Sequence, residues 1–167
     1  MTNFFSFQGT IIEIKDFITA QPGFRDGCYK FFTIENHEGM VVNFVVSPST
    51  YVVDHVTLEV GDTVTAYYDG DAPAILIYPP QYPALVIVKD TNEQFVKVSY
   101  FNQYLVSSDG QLQLNLSPET QITLTNGQSF SRYPANLDLI VIYRYTTRSI
   151  PAQTTPIRII VLCPNIN

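Results

Sequence analysis

Two proline corners, each followed by an apolar run, constrain the fold of this chain more than any other feature. The first is Tyr-Pro-Pro-Gln at 78–81, which interrupts an apolar stretch that resumes at 84–88. A shorter version, Ile-Pro-Ala-Gln at 150–153, precedes the apolar run 157–162. Proline cannot donate a ladder hydrogen bond, so each corner must lie at an edge, a bulge or a bend of a sheet. The chain therefore contains a structural repeat, and each proline corner is interpreted as the turn into the last strand of one copy.

Two further features return in the same order in both halves. Ser-Pro-x-Thr occurs at 47–50 and again at 117–120. An aspartate, Asp62 or Asp138, is followed five residues later by a tyrosine, which matches Tyr67 with Tyr143. Together with the corners, these features predict two copies of a unit of roughly 70 to 85 residues.

Short apolar and aromatic runs between turn residues predict about five strands in each half and no amphipathic helix. Residues 28–46 and 103–116 are predicted hairpins, and the Pro-Gly and Asp-Gly pairs make 19–27 a loop. Residues 51–60 fit either a short strand or a helical turn.

The predicted order of strand, hairpin, irregular connection, strand and strand resembles the OB-fold. The resemblance implies an all-β protein of two similar small five-stranded OB-like barrels in tandem, an acidic one at 1–89 and a second at 94–167. An immunoglobulin-like sandwich is the main rival, but each half is short for its seven strands. The Tyr78–Pro79 bond is a candidate for the cis isomer.

The corner at 78–81 and the segment Thr-Arg-Ser-Ile-Pro at 147–151 are also similar to β-domains of uncharacterised surface or spore proteins of Gram-positive bacteria. This resemblance assigns no activity, and it implies a cell or spore surface rather than the cytoplasm. We expect no membrane insertion, because no apolar stretch is long enough to span a bilayer. The N-terminal residues also lack the basic start and apolar stretch of a signal peptide.

Signatures of catalysis and of cofactor binding are missing from the sequence. There is no nucleophile elbow, no phosphate-binding glycine loop and no His-Glu-x-x-His motif, so no enzyme is predicted and no catalytic or cofactor-binding residue is assigned. Asp-Gly-Asp at 69–71 is interpreted as a hairpin turn rather than a calcium site, and no metal is expected. Cys28 and Cys163 are expected to be thiols, with an intramolecular bridge or intermolecular pairing as alternatives.

Charge is sparse and unevenly divided. Only 14% of the residues are charged. Residues 1–90 carry eleven acidic and four basic residues, a net of −7, whereas residues 91–167 carry four acidic and five basic residues, a net of +1. The acidic balance argues against nucleic acid as a partner, because phosphate binding depends on Lys and Arg. The basic residues expected to gather on one face are Arg144, Arg148 and Arg158.

These observations predict a non-enzymatic structural or protein-interaction module whose partner is a protein, itself included. In the self-assembly hypothesis, the arginine face meets the acidic half of a neighbouring molecule head to tail, which yields rings or filaments. The aromatic residues Phe4, Phe5 and Phe7 would add a strand to a neighbour's sheet, or else pack within their own barrel. The alternative is a ligand-binding module whose aromatic β-face holds a glycan, a peptide or single-stranded nucleic acid.

Overall fold

The computed structural model describes residues 1–18, 27–73 and 76–164, so the loop predicted at 19–27 lies almost wholly outside the described residues. The described residues form strands and turns, which confirms the predicted all-β class. Their one helical element is a short 3₁₀ turn, Val53–His55. The chain divides into two compact units: the first unit is Phe5–Asp90, and the second unit is Thr91–Asn167 together with Met1–Phe4.

The first unit is built on a seven-stranded sheet. Its strands are β1 (Phe4–Asp16), β2 (Lys30–Glu35), β3 (Val41–Val46), β4 (Tyr51–Val52), β5 (Thr63–Asp69), β6 (Gln81–Pro83) and β7 (Val86–Lys89). Their order across the sheet is β4-β7-β5-β1-β2-β3-β6. The hairpin β2–β3 agrees with the turn predicted at 36–39, and residues 51–60 form both a short strand and the 3₁₀ turn.

The second unit contains a four-stranded and a two-stranded sheet. Its strands are β8 (Phe95–Phe101), β9 (Leu112–Leu114), β10 (Gln121–Leu124), β11 (Leu137–Tyr143), β12 (Ala152–Thr154) and β13 (Arg158–Leu162). The order in the larger sheet is β10-β13-β11-β8, and the smaller sheet pairs β12 with β9. Two isolated bridges, Phe101 with Ser107 and Val106 with Gln113, stand where the first strand of the hairpin at 103–116 was predicted.

The strands therefore form sheets of seven, four and two strands rather than the predicted pair of five-stranded sheets. The last strand of each unit is interrupted at the point where it changes neighbours. Residues 84–85 separate β6 from β7, and residues 155–157 separate β12 from β13. Each part of the interrupted strand then pairs with a different neighbour.

The two units nevertheless share the same sequence of strand pairings. The parallel pair β3–β6 aligns Asn43 with Gln81, and the parallel pair β9–β12 aligns Gln113 with Gln153. The parallel pair β4–β7 corresponds to β10–β13, and the antiparallel pair β5–β7 corresponds to β11–β13. The prolines at 79 and 151 are both preceded by a cis peptide bond.

The Ser-Pro-x-Thr turns make equivalent hydrogen bonds in the two units. The hydroxyl of Thr50 donates to the carbonyl of Ala84 at 2.8 Å, and the hydroxyl of Thr120 donates to the carbonyl of Pro156 at 2.7 Å. In both turns the same hydroxyl accepts the backbone N–H of the serine three residues earlier. The turn therefore attaches the start of β4 or β10 to the interrupted last strand.

The predicted match of Tyr67 with Tyr143 is wrong by one residue. The backbone N–H of Leu85 donates to the carbonyl of Tyr67, whereas the N–H at the equivalent position 157 donates to the carbonyl of Ile142. Tyr68 therefore corresponds to Tyr143. A shift of one residue moves a side chain to the opposite face of a strand, so the correction changes which tyrosine ring faces the core.

Each unit has its own apolar core. Ile11, Ile34 and Phe44 are among the fully buried side chains of the first unit. Phe101, Leu139 and Ile159 take this role in the second unit. The first core also depends on close backbone approach at Gly9, where a Cβ atom would lie 2.4 Å from the carbonyl oxygen of Glu35.

Candidate interaction surfaces

The three aromatic residues proposed for strand addition lie in β1. Phe7 packs against the first core, with its ring 6.4 Å from that of Phe44. Phe5 is half-exposed and lies edge-to-face with Tyr68 at 6.0 Å. Phe4 is partly buried and belongs to the second unit. Phe5 and Phe7 therefore both contact aromatic rings of the first unit.

A stacked tyrosine pair occupies the end of the first core. The rings of Tyr68 and Tyr82 lie 4.1 Å apart and are inclined by 19°. Phe44 lies beneath both rings, at 5.8 and 6.3 Å. Burial, and then the neighbouring Tyr82, raises the pKa of Tyr68. In the second unit, burial and the charge of Asp109 raise the pKa of Tyr143.

These raised pKa values predict a loss of stability in alkali. The pKa values of both phenols are higher in the folded protein than in the unfolded chain, where tyrosine ionises at about pH 10. Their contribution to stability is therefore present below that pH and is lost as the pH rises through the raised folded pKa values. We expect the double variant Tyr68→Phe/Tyr143→Phe to lose less stability between neutral and alkaline pH than the wild type, as measured by denaturant unfolding. The exposed Tyr133→Phe variant is the control and should behave like the wild type.

An apolar loop tip precedes the first proline corner. This loop tip consists of Leu76, Ile77 and Tyr78, whose side chains are 100%, 50% and 76% exposed. The residue at the equivalent position before the second corner, Ile150, is 83% exposed. Both connections to the last strand therefore present apolar side chains to solvent.

The three arginines proposed as one basic face occupy two elements of the second unit. Arg144 and Arg148 are exposed in the connection between β11 and β12. Arg158 is half-buried at the start of β13, where it pairs with Ile142 and Gln121. Only Arg144 of the three lines the cleft described next.

This cleft, the polar cleft, lies between β12, the end of β9 and residues 144–147. It has a volume of about 510 Å³. The side chains that carry its chemistry are those of Asn115, Arg144, Tyr145, Thr147, Gln153 and Thr155. Hydroxyl and amide groups therefore surround one guanidinium and one exposed aromatic ring.

Hydrogen bonds hold the walls of the polar cleft. The backbone N–H of Thr147 donates to the carbonyl of Gln153, and the N–H of Gln153 donates back to the Thr147 hydroxyl, both at 2.9 Å. The Thr154 hydroxyl donates to the carbonyl of Tyr145 at 2.6 Å. The Asn115 amide donates to the side-chain oxygen of Gln153 at 3.1 Å. These hydrogen bonds attach the connection to β12.

The equivalent positions of the first unit carry different chemistry. Thr154 corresponds to Tyr82, because both follow the same parallel pairing with β9 or β3. Arg144 follows Tyr143 as Asp69 follows Tyr68. The ring of Tyr82 fills its position by stacking, whereas a threonine is much smaller and borders the cleft. The two units therefore differ in side-chain size where Tyr82 corresponds to Thr154, and in charge where Asp69 corresponds to Arg144.

Of the cleft side chains, sequence analysis named only Arg144 as a candidate; it missed Asn115, Tyr145, Thr147, Gln153, Thr154 and Thr155, and also the role of Tyr82. The signal that could have found them was present: aligning the halves on Ser-Pro-x-Thr and on the proline corners places each beside its counterpart. These side chains were missed because the correspondences were used for architecture alone.

Another basic side chain of the second unit, that of Lys97, already has an ion-pair partner. Lys97 forms an ion pair with Asp109. Burial raises the pKa of Asp109, but hydrogen bonds from Lys97, Ser107 and the backbone N–H of Gln111 outweigh burial and hold that pKa below its ordinary value. Lys97 is therefore engaged within its own unit, unlike Arg144.

Within residues 1–18, 27–73 and 76–164, no three His, Cys, Asp or Glu side chains come together as a metal site. Cys28 and Cys163 are exposed free thiols. No helix in the same ranges has the length and apolar character needed to cross a membrane. Comparison of the chain with protein-family models, with curated proteins and with solved structures gave no match.

Proposed function

We propose that this protein is a non-enzymatic structural and protein-interaction module that associates with further copies of itself, head to tail. The observation that carries the proposal is the apolar loop tip, where Leu76 and Tyr78 are largely exposed beside a proline corner. Contiguous apolar side chains held in solvent are typical of protein contact surfaces. The proposed setting is a cell or spore surface, which rests on the resemblance of the proline segments alone.

The partner surface in this proposal is the equivalent connection of a second copy. In the first unit, Asp69 ends β5 and Asp71 lies in the connection that also contains the apolar loop tip. In the second unit, Arg148 lies in the corresponding connection beside the exposed Ile150. Each connection offers apolar contact, and their charges are opposite. When two molecules join through two different surfaces, the resulting dimer still exposes one surface of each kind. Further molecules can therefore add, and the assembly becomes a ring or a filament.

The test is sedimentation velocity at rising protein concentration and low salt. We expect the wild type to associate, and we expect Leu76→Asp to weaken association by about tenfold or more, since burying an unpaired carboxylate is costly. Arg148→Asp should weaken association as well, because it removes the complementary charge. High salt should reduce association through screening.

Met40→Asp is the matched control. Met40 is an exposed apolar residue of the same unit, in the turn between β2 and β3, so the variant introduces the same charge away from the loop tip. Its association should equal that of the wild type. A wild type that stays monomeric at high concentration and low salt would refute the proposal, as would an equal effect of Met40→Asp.

We also propose that each unit is a small five-stranded barrel of the OB type. Its support is the position of the interrupted last strand. At consecutive residues, the N–H of Ala84 donates to Val45 of β3 and the N–H of Leu85 donates to Tyr67 of β5. If β6 and β7 count as one strand, that strand joins β3 to β5 and closes the sheet on itself. In the second unit, the interrupted strand β12–β13 pairs in the same way with β9 and β11.

A further inference from the structure

The polar cleft is an open surface groove with enough volume for a small ligand. Its volume of about 510 Å³ falls within the range of ligand clefts, roughly 300 to 1,000 Å³. The Thr147 hydroxyl accepts the backbone N–H of Gln153, and the Thr154 hydroxyl donates to the carbonyl of Tyr145, so two walls of the cleft are joined by hydrogen bonds.

Arg144 is the charged group of this cleft. Across the described part of the chain, the guanidinium of Arg144 makes no ion pair and no hydrogen bond. Its five N–H donors are therefore available, and their planar fork fits a carboxylate with two parallel hydrogen bonds. The cleft can thus accept one negative charge.

The remaining groups fit a sugar ring. Asn115 and Gln153 use one donor and one acceptor on each other, which leaves further amide donors and acceptors for a ligand. The hydroxyl of Thr155 adds a group that both donates and accepts. Tyr145, which is 84% exposed, offers an aromatic face of the kind that packs against the C–H face of a pyranose.

We propose that the polar cleft binds an acidic sugar, a hexuronic acid unit within a polysaccharide, with its carboxylate on Arg144. The ring hydroxyls bond to Asn115, Gln153 and Thr155, and the ring lies on Tyr145. The first unit carries an aspartate and a stacked tyrosine at the positions of Arg144 and Thr154, so this activity belongs to the second unit alone.

Calorimetric titration with a short oligomer of galacturonic acid tests the proposal. The wild type should bind this oligomer and should bind the neutral galactose oligomer at least about tenfold more weakly, because the neutral sugar lacks the carboxylate that Arg144 would hold. Arg144→Asp installs the residue of the first unit and should abolish the preference for the acidic sugar. Tyr145→Ala should weaken binding of both oligomers.

Arg148→Asp is the control with the same change in net charge. Arg148 is exposed in the same connection but does not line the cleft, so binding of the acidic oligomer should match that of the wild type. Equal losses in the two arginine variants, or equal affinity for acidic and neutral oligomers, would overturn the proposal. Tighter binding of a short oligonucleotide, lost in Arg144→Asp, would overturn it in favour of nucleic acid. Because Arg148→Asp should impair self-association but not sugar binding, the two proposals fail separately.

Discussion

Replacing Phe101 with alanine is expected to lower the free energy of unfolding of the second unit by about 3–5 kcal/mol. Phe101 lies at the end of β8, is fully buried, and packs among Leu105, Leu139 and Ile159. Removing its ring takes a large apolar area out of contact and leaves a cavity that the strand framework fills only in part. Phe44→Ala should have a similar effect on the first unit, because Phe44 is equally buried and supports the stacked tyrosines.

Phe95→Ala is the matched control for Phe101→Ala. Phe95 lies in the same strand and undergoes the same change, but it is 58% exposed and has one ring neighbour, Tyr143, at 5.8 Å. The loss of that ring pair should cost under about 1.5 kcal/mol. Denaturant unfolding followed by circular dichroism measures all three variants. Equal losses for Phe95→Ala and Phe101→Ala would contradict the proposed core.

Leu85→Pro is expected to destabilise the first unit by about 1–3 kcal/mol, because it removes a hydrogen bond between strands and leaves the acceptor unpaired. The Leu85 side chain is partly exposed, so its backbone is the important part: the N–H donates to Tyr67 at 2.8 Å, and the carbonyl accepts the N–H of Tyr51 at 2.9 Å. Proline removes the donor and leaves the carbonyl of Tyr67 without its partner. The contact between the interrupted last strand and β5 is then lost at the point where the barrel would close.

Leu85→Ala keeps the backbone donor and is the control for this experiment. It removes a partly exposed side chain, and a change of this kind usually alters stability by under about 1 kcal/mol. A large gap between the two variants supports the closing role of the Leu85 backbone. A proline variant as stable as the alanine variant would show that the hydrogen bond to Tyr67 does not hold the unit together.

The destabilising variants should affect the proposed functions by moving the connections that carry the two sites, and not by removing binding groups. The apolar loop tip and the polar cleft both lie at connections that end in a proline corner and enter the interrupted strand. A loosened last strand would move these connections, so Leu85→Pro should also impair self-association. The functional variants avoid this problem, because Leu76, Arg144 and Arg148 are exposed.

The sequence alone determined the all-β class and the duplicated order of turns. Both follow from local chemistry: Ser-Pro-x-Thr forms its own hydrogen bonds, proline cannot donate to a ladder, and short apolar runs between turns form strands. The duplicated proline corner was interpreted as structural, and both corners do lead into the interrupted last strand.

Tertiary structure alone decided the strand pairings and the cleft. The parallel pairs β3–β6 and β9–β12 join segments far apart in the chain, and packing rather than local propensity sets their register. The one-residue error that matched Tyr67 with Tyr143 arose because counting from an aspartate ignores that register. Thr154, which borders the polar cleft, stands where Tyr82 stacks on Tyr68 in the other unit. That difference has meaning only once the neighbouring strands are in place.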